Sequence, residues 1–197
     1  WAVATARVPR RETKAVLDEL ENMTRDIIAI AERDFAPLTI EQLRQRPSAQ
    51  AWSVGECLQH LNLYGEYYLP AMRNAIAGST ASAQNTFKGT WLGEYFANMM
   101  LPRPDGSLST KMNSPKDKNP ALAASIAVPD DVVAVFLQQQ RDFLSGIAQA
   151  RRADLQGIRI PITISRLIRL TLGDTLRFNV FHNIRHVHQA QRAIGSR

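Results

Sequence analysis

Residues 172–189 read LGDTLRFNVFHNIRHVHQ and contain three of the four histidines of this 197-residue chain. Apolar residues recur in this stretch every three or four positions, which predicts an amphipathic helix. His182 and His186 are four positions apart, so both leave one helix face with Cβ atoms about 5–6 Å apart. That separation suits two imidazoles that bind one ion at about 2.0–2.1 Å per nitrogen. His188 points about 200° away from His186, at about 100° per residue, and is a poor third ligand.

A second decisive stretch runs from Trp52 to His60. Ser53 and Glu56 have the spacing of a capping box, which predicts the start of a helix. His60 follows one turn after Glu56 and is the only histidine outside the last helix. Facing helices of a bundle build metal sites from inward side chains, so His60 is the candidate for the third ligand. Taken alone, this spacing also suits histidines that are merely hydrogen-bonded in a core.

The fold class follows from the apolar pattern of the whole chain. Helix formers dominate the apolar segments and strand-like alternation is scarce, which predicts an all-α fold. Four long segments are predicted to be helices, and a long irregular region separates the second from the third. The main helices are predicted at about 11–34, from 52 onward with a kink or early end at Pro70, at 129–152 and at 173–194.

The predicted domain organisation is a single domain over residues 1–197 with an irregular insertion at about 78–128. Within that insertion, residues 87–100 are predicted to form a short helix. Residues 157–170 are a connector of uncertain form, interrupted by Pro161.

Composition and charge limit the classes of function. No stretch approaches the roughly 20 apolar residues of a membrane-spanning helix, and no intact signal peptide is recognised. The single cysteine, Cys57, excludes an intrachain disulfide, fits a reducing cytoplasm and is read as a core residue. The net charge is +6, with ten arginines and three aspartates from Arg141 onward. A solvated helix face is the preferred interpretation, and binding of nucleic acid or an anionic membrane is a weaker alternative.

Two stretches resemble one known family. Residues 52–61 and 172–189 resemble the second and last helices of the DinB/YfiT-like metalloenzyme family, in an order and separation that suit nearly the whole chain. The Lys-, Asn- and Pro-rich segment at 111–120 is similar to family members with an extended segment between the second and third helices. The family's pattern H-x-x-R-H-x-x-Q in the last helix is matched by His182, Arg185, His186 and Gln189.

This resemblance implies an all-α four-helix bundle with a long crossover loop between the second and third main helices. It also implies a site formed by His60, His182 and His186 and a divalent metal ion, with nickel or zinc expected first. Characterised relatives include transferases and isomerases that use low-molecular-weight thiols. The function expected from it is therefore metal-dependent thiol transfer or hydrolysis on a small molecule. The alternative is a non-catalytic metal-binding or stress-related helical bundle.

The sequence assigns no catalytic side chain, but it suggests neighbours of the site. Arg185 and, less so, Arg177 are candidates to attract the carboxylates of a thiol cofactor. Glu56 is explained more simply by its cap than as a base, Tyr64 is read first as a core residue, and Trp52 is expected to pack at the bundle end. Candidates for outer hydrogen bonds that orient the ligand rings are Asn179, Asn183 and Gln189.

The expected partners are few. We expect a small-molecule substrate, with a low-molecular-weight thiol among the candidates, and neither nucleic acid nor a membrane. The expected location is the cytoplasm. A homodimer that uses the aromatic residues at 91–96 is an alternative to a monomer.

Overall fold

The computed structural model describes residues 8–101, 116–120, 127–163, 165 and 167–195. Within these ranges the structure is mostly helical, so the predicted fold class is confirmed. The helices are α1 (Thr13–Ile30), α2 (Ile40–Arg44), α3 (Val54–Ala77), α4 (Trp91–Met100), α5 (Val132–Ala150) and α6 (Leu172–Gly195), with a π-helical turn at Ala31–Phe35 and a 3-10 turn at Lys116–Lys118. Two antiparallel pairs of short strands accompany them: β1 (Arg10–Glu12) with β2 (Thr86–Lys88), and β3 (Arg159–Pro161) with β4 (Arg169–Thr171).

The four long helices pack on one another around a shared apolar core. Both α1 and α3 contact α5 and α6. Each long helix contributes fully buried side chains, among them Leu17, Leu61, Phe136 and Val187. Burial of one such side chain contributes about 1.5–3 kcal/mol. The core therefore holds α3 and α6, the two helices that carry the histidines, side by side.

The start of α3 is set by the capping box expected from the sequence. Ser53 Oγ accepts a hydrogen bond from the Glu56 amide at 3.1 Å, and the Glu56 carboxylate accepts one from the Ser53 amide at 2.8 Å. The Arg46 guanidinium binds the same carboxylate. Loss of such a cap typically costs about 1 kcal/mol. Because the cap fixes where α3 begins, it also fixes the position of His60 one turn after Glu56.

Pro70 does not end α3, so of the two outcomes predicted there, a kink or an early helix end, the early end is wrong. The helix continues seven residues beyond it, to Ala77. Proline cannot donate to the carbonyl of residue 66 and typically costs about 3 kcal/mol inside a helix. Tyr68 and Met72 are each 2% exposed on either side of it. Packing of these large side chains against the core compensates for the lost backbone hydrogen bond.

The uncertain connector at 157–170 contains a small β-hairpin. Ile160 pairs with Leu170 across β3 and β4, and both are 1% exposed. The hairpin lies against α3 and α6. Three-residue strands are too short to show a period-two pattern, which is why the sequence did not predict them.

The described part of the predicted insertion at 78–128 is more regular than expected. It contains β2, and α4 lies within the predicted short helix at 87–100. Asp174 of α6 is 0% exposed and accepts hydrogen bonds from the Thr90 amide at 2.7 Å and the Thr90 hydroxyl at 3.0 Å. A Cβ at Gly93 would lie 2.2 Å from Asp174 Cγ, so glycine permits this close approach. Residues 102–115 and 121–126, including the first half of the segment at 111–120, lie outside the described residues.

Several arginines of the basic C-terminal third form ion pairs within the chain. Such pairing agrees with the interpretation of that third as an ordinary helix surface. The pairs are Arg141 with Glu32, Arg151 with Asp18 and Glu21, and Arg177 with Glu94. Among the described residues, none of the helices has the length and apolar character needed to cross a bilayer.

Candidate metal centre

The three histidines predicted as ligands lie together between α3 and α6. His60 comes from α3, and His182 and His186 come from successive turns of α6. One ring nitrogen from each lies within 4.8 Å of those of the other two. The packing of α3 on α6 thus brings together residues that are 122 positions apart in the sequence.

The spacing of the nitrogens fits ligands of a single ion. His60 Nε2 lies 3.1 Å from His182 Nε2. Two nitrogens at about 2.0–2.1 Å from a tetrahedral ion lie roughly 3.4 Å from each other. A shift of a few tenths of an ångström would therefore let both rings bind one ion.

Hydrogen bonds to the outer ring nitrogens orient two of the rings. His60 Nδ1 lies 2.5 Å from the Lys118 carbonyl oxygen, and His186 Nδ1 lies 2.9 Å from Gln189 Oε1. Both oxygens accept hydrogen bonds, so each Nδ1 carries the proton. Nε2 is then the unprotonated nitrogen of each ring, the form in which imidazole binds a metal ion. This arrangement is usual for metal-binding histidines.

The third ring, that of His182, has an unsatisfied polar atom. His182 Nδ1 is buried and has no hydrogen-bond partner among the described residues. The ring is contacted by Tyr64 edge-on at 4.6 Å and by Phe178 in a stacked arrangement at 5.5 Å, measured between ring centroids. Leaving such an atom unpaired costs about 1–3 kcal/mol. Because Nε2 of this ring faces His60 Nε2, the unpaired Nδ1 is its outer nitrogen, and the His182 ring has no outer hydrogen bond to the described residues.

All three imidazoles are neutral near pH 7. Burial lowers the pKa of His60 to about 4. Burial, followed by the charges of neighbouring histidines and of Arg185, holds the pKa values of His182 and His186 well below the usual range. Metal ions bind neutral imidazole, so the cluster is in the binding form without first losing protons.

Aromatic rings line the cluster. Trp52 stacks on His186 with 5.7 Å between centroids and is tilted over His60 at 5.1 Å. Tyr64 contacts His60 at 5.0 Å and is 8% exposed, in agreement with its interpretation as a core residue. Burial raises the pKa of Tyr64 to about 12, so its hydroxyl keeps its proton. Trp52 and His186 are partly exposed, whereas His60 and His182 are buried.

Of the three candidates for outer hydrogen bonds, Gln189 reaches a ligand ring. The Asn179 amide donates to the Thr175 carbonyl at 2.8 Å. The Asn183 amide donates to Gln140 Oε1 at 2.9 Å. Asn179 thus donates within α6, and Asn183 donates from α6 to α5.

The remaining candidates have other roles. Glu56 forms the capping box at the start of α3, as its spacing from Ser53 predicted. Cys57 is fully buried, and burial raises the pKa of its thiol, so it is a core residue. Arg177 is bound to Glu94 at 2.8 Å rather than exposed. Arg185 donates to the Met99 carbonyl at 3.0 Å, and its charge acts on His182 and His186.

Two further contributors, which the sequence did not predict, come from the segment before α5. The Lys118 carbonyl orients His60, and the charge of Asp117 acts on Tyr64. A main-chain carbonyl carries no sequence signal, so its role could not have been predicted. Asp117 lies within residues 111–120, the segment that is similar to an extended segment in some family members.

Comparison with known families agrees with this geometry. A family model described as the DinB superfamily matches residues 11–190, a range that includes all three histidines. No curated protein and no solved structure matches the chain. The match covers nearly the whole chain and includes α3 and α6, the two helices that carry the histidines. The chain belongs to the DinB superfamily.

Proposed function

We propose that this chain is a divalent-metal-dependent enzyme that acts on a small molecule, with thiol transfer as the leading reaction. His60, His182 and His186 would hold the ion. The convergence of their nitrogens within 4.8 Å is the observation that carries the proposal. Three protein ligands leave a position for a substrate, whereas structural zinc sites have four. Nickel and zinc are the ions we expect, because both bind imidazole well.

The chemistry divides between the ion and the chain. A divalent ion supplies Lewis acidity, which lowers the pKa of a thiol or of water bound beside it. The chain supplies three neutral donors, and hydrogen bonds orient two of them. Tyr64 keeps its hydroxyl proton and can donate it to a substrate. The charge of Arg185 near His182 and His186 favours an anionic group at the site.

The surroundings of the histidines favour a thiol over water as the nucleophile. A divalent ion can lower the pKa of bound water to about 7, and hydrolysis is faster where a base also accepts a proton from that water. Among the described residues, no carboxylate belongs to the cluster, and Glu56 is held by Ser53 and Arg46. A free thiol has a pKa of about 8.5, against about 15.7 for water, so it loses its proton far more readily. Hydrolysis remains the second reaction to test.

Metal content is the first experiment. The protein is made without a histidine tag and incubated with nickel or zinc salts at pH 7.5. It is expected to retain about one ion per chain, measured by inductively coupled plasma mass spectrometry. Negligible metal would refute the proposal. Turnover of a low-molecular-weight thiol with an electrophile, abolished by a chelator, would support thiol transfer. Stoichiometric metal without thiol-transfer or hydrolytic turnover would favour the non-catalytic alternative.

Metal binding should also stabilise the fold. A ligand at 100 times its dissociation constant adds about 2.7 kcal/mol to the free energy of unfolding. For a domain of this size that corresponds to a rise in melting temperature of roughly 5–10 °C. Differential scanning fluorimetry with zinc, and then with excess chelator, measures the change. The His188→Ala variant should show the same rise, and equal melting temperatures with and without metal would contradict the prediction.

A further inference from the structure

We propose that Gln189 is a positioning residue of the metal centre. Its side-chain oxygen keeps the proton of His186 on Nδ1, so that Nε2 presents its lone pair to the ion. This inference rests on the proposed metal-binding function. It concerns how one ligand is held in the binding tautomer rather than whether the site binds metal.

The geometry of α6 places the two groups together. Gln189 follows His186 by three residues, so both side chains lie on one side of the helix. The distance from His186 Nδ1 to Gln189 Oε1 is 2.9 Å, a normal hydrogen bond. The amide oxygen accepts a hydrogen bond and cannot donate one, so the proton belongs to Nδ1.

Ring stacking alone does not determine which nitrogen faces the cluster. Trp52 stacks on the His186 ring with an interplanar angle of 19°, which restrains the plane of the imidazole. Rotation of the ring by 180° about the Cβ–Cγ bond returns it to the same plane, so the stacking is preserved. The ring nitrogens then occupy the former positions of ring carbons. Neutral imidazole also has two tautomers, and the form protonated at Nε2 cannot bind a metal through that atom. The hydrogen bond to Gln189 selects one orientation and one tautomer.

The other rings show why Gln189 is the informative position. His60 is oriented by a main-chain carbonyl, which no side-chain substitution removes. His182 Nδ1 has no partner among the described residues. Gln189 is thus the outer partner that a point mutation can remove without changing a ligand.

The test compares zinc affinities by competition with a chromophoric chelator. Gln189→Leu is expected to weaken zinc binding by about 10–100-fold, the usual effect of removing an outer hydrogen bond. Gln189→Glu should bind within about threefold of the unmodified chain or more tightly, because a carboxylate also accepts the Nδ1 proton and raises ligand basicity. The matched control is Gln191→Leu: Gln191 lies on the same helix and donates to Asp34 at 2.9 Å. Its replacement should leave zinc affinity unchanged.

The melting temperature of each metal-free variant separates positioning from folding. We expect Gln189→Leu to melt close to the unmodified metal-free chain while binding zinc less tightly. Gln189→Met, similar in length but without the oxygen, repeats the comparison if the leucine variant does not fold. Unchanged zinc affinity in Gln189→Leu, or equal losses in the leucine and glutamate variants, would overturn the inference and leave the metal site standing. Failure of the unmodified chain to bind zinc would overturn both proposals.

Discussion

Replacement of His182 by alanine is expected to weaken zinc or nickel binding by more than about 100-fold. Loss of an outer hydrogen bond to a ligand typically costs about 10–100-fold, and loss of a ligand itself should exceed that. His182 is one of three nearly equidistant ligand rings: its centroid lies 5.0 Å from that of His60 and 4.8 Å from that of His186, and those two lie 4.6 Å apart. Isothermal titration calorimetry at pH 7.5 measures the change.

His188→Ala is the matched control for this result. His188 lies on the same helix but does not belong to the cluster. Its replacement should leave the affinity within about twofold, since ligand identity and not helix composition determines binding. Far-UV circular dichroism establishes that both variants are folded. Wild-type affinity in His182→Ala would show that the ion, if bound, is held elsewhere.

Replacement of Asp174 by alanine is expected to lower the free energy of unfolding by about 2–3 kcal/mol, because a buried donor left without its acceptor costs about 1–3 kcal/mol. The Asp174 carboxylate accepts two hydrogen bonds from Thr90 at the start of α4, and its other oxygen lies 4.0 Å from an Arg177 nitrogen. Without it the Thr90 amide loses its acceptor and Arg177 loses a nearby negative charge. Urea denaturation followed by circular dichroism measures the loss.

Asp174→Asn provides the comparison. Asparagine has nearly the same shape and retains an oxygen that can accept from Thr90, but it removes the charge near Arg177. We expect it to be less destabilising than alanine, because hydrogen-bond acceptance at α4 is preserved. Alanine and asparagine variants that both unfold within about 1 kcal/mol of the unmodified chain would show that Asp174 does not hold α4 on α6.

The sequence predicted the helices and pointed to the three histidines as candidate ligands because the signals for both are local. The Ser53–Glu56 capping box and the apolar spacing depend on residues within one or two turns, and the structure reproduces both. The four-residue spacing of His182 and His186 likewise requires only a helix. The short strands and the continuation of α3 through Pro70 were missed, since packing against distant residues decides them.

By itself the sequence determined which side chains carry donor atoms and where the helices that bear them begin. Capping, helical periodicity and imidazole chemistry are properties of neighbouring residues, which is why they can be read without a fold. The tertiary structure alone decided that His60 faces His182 and that the Lys118 carbonyl orients its ring. Those contacts depend on how α3 packs on α6 and on where residues 116–120 lie against α3. They result from burying apolar surface across the whole core, and no short stretch of sequence encodes them.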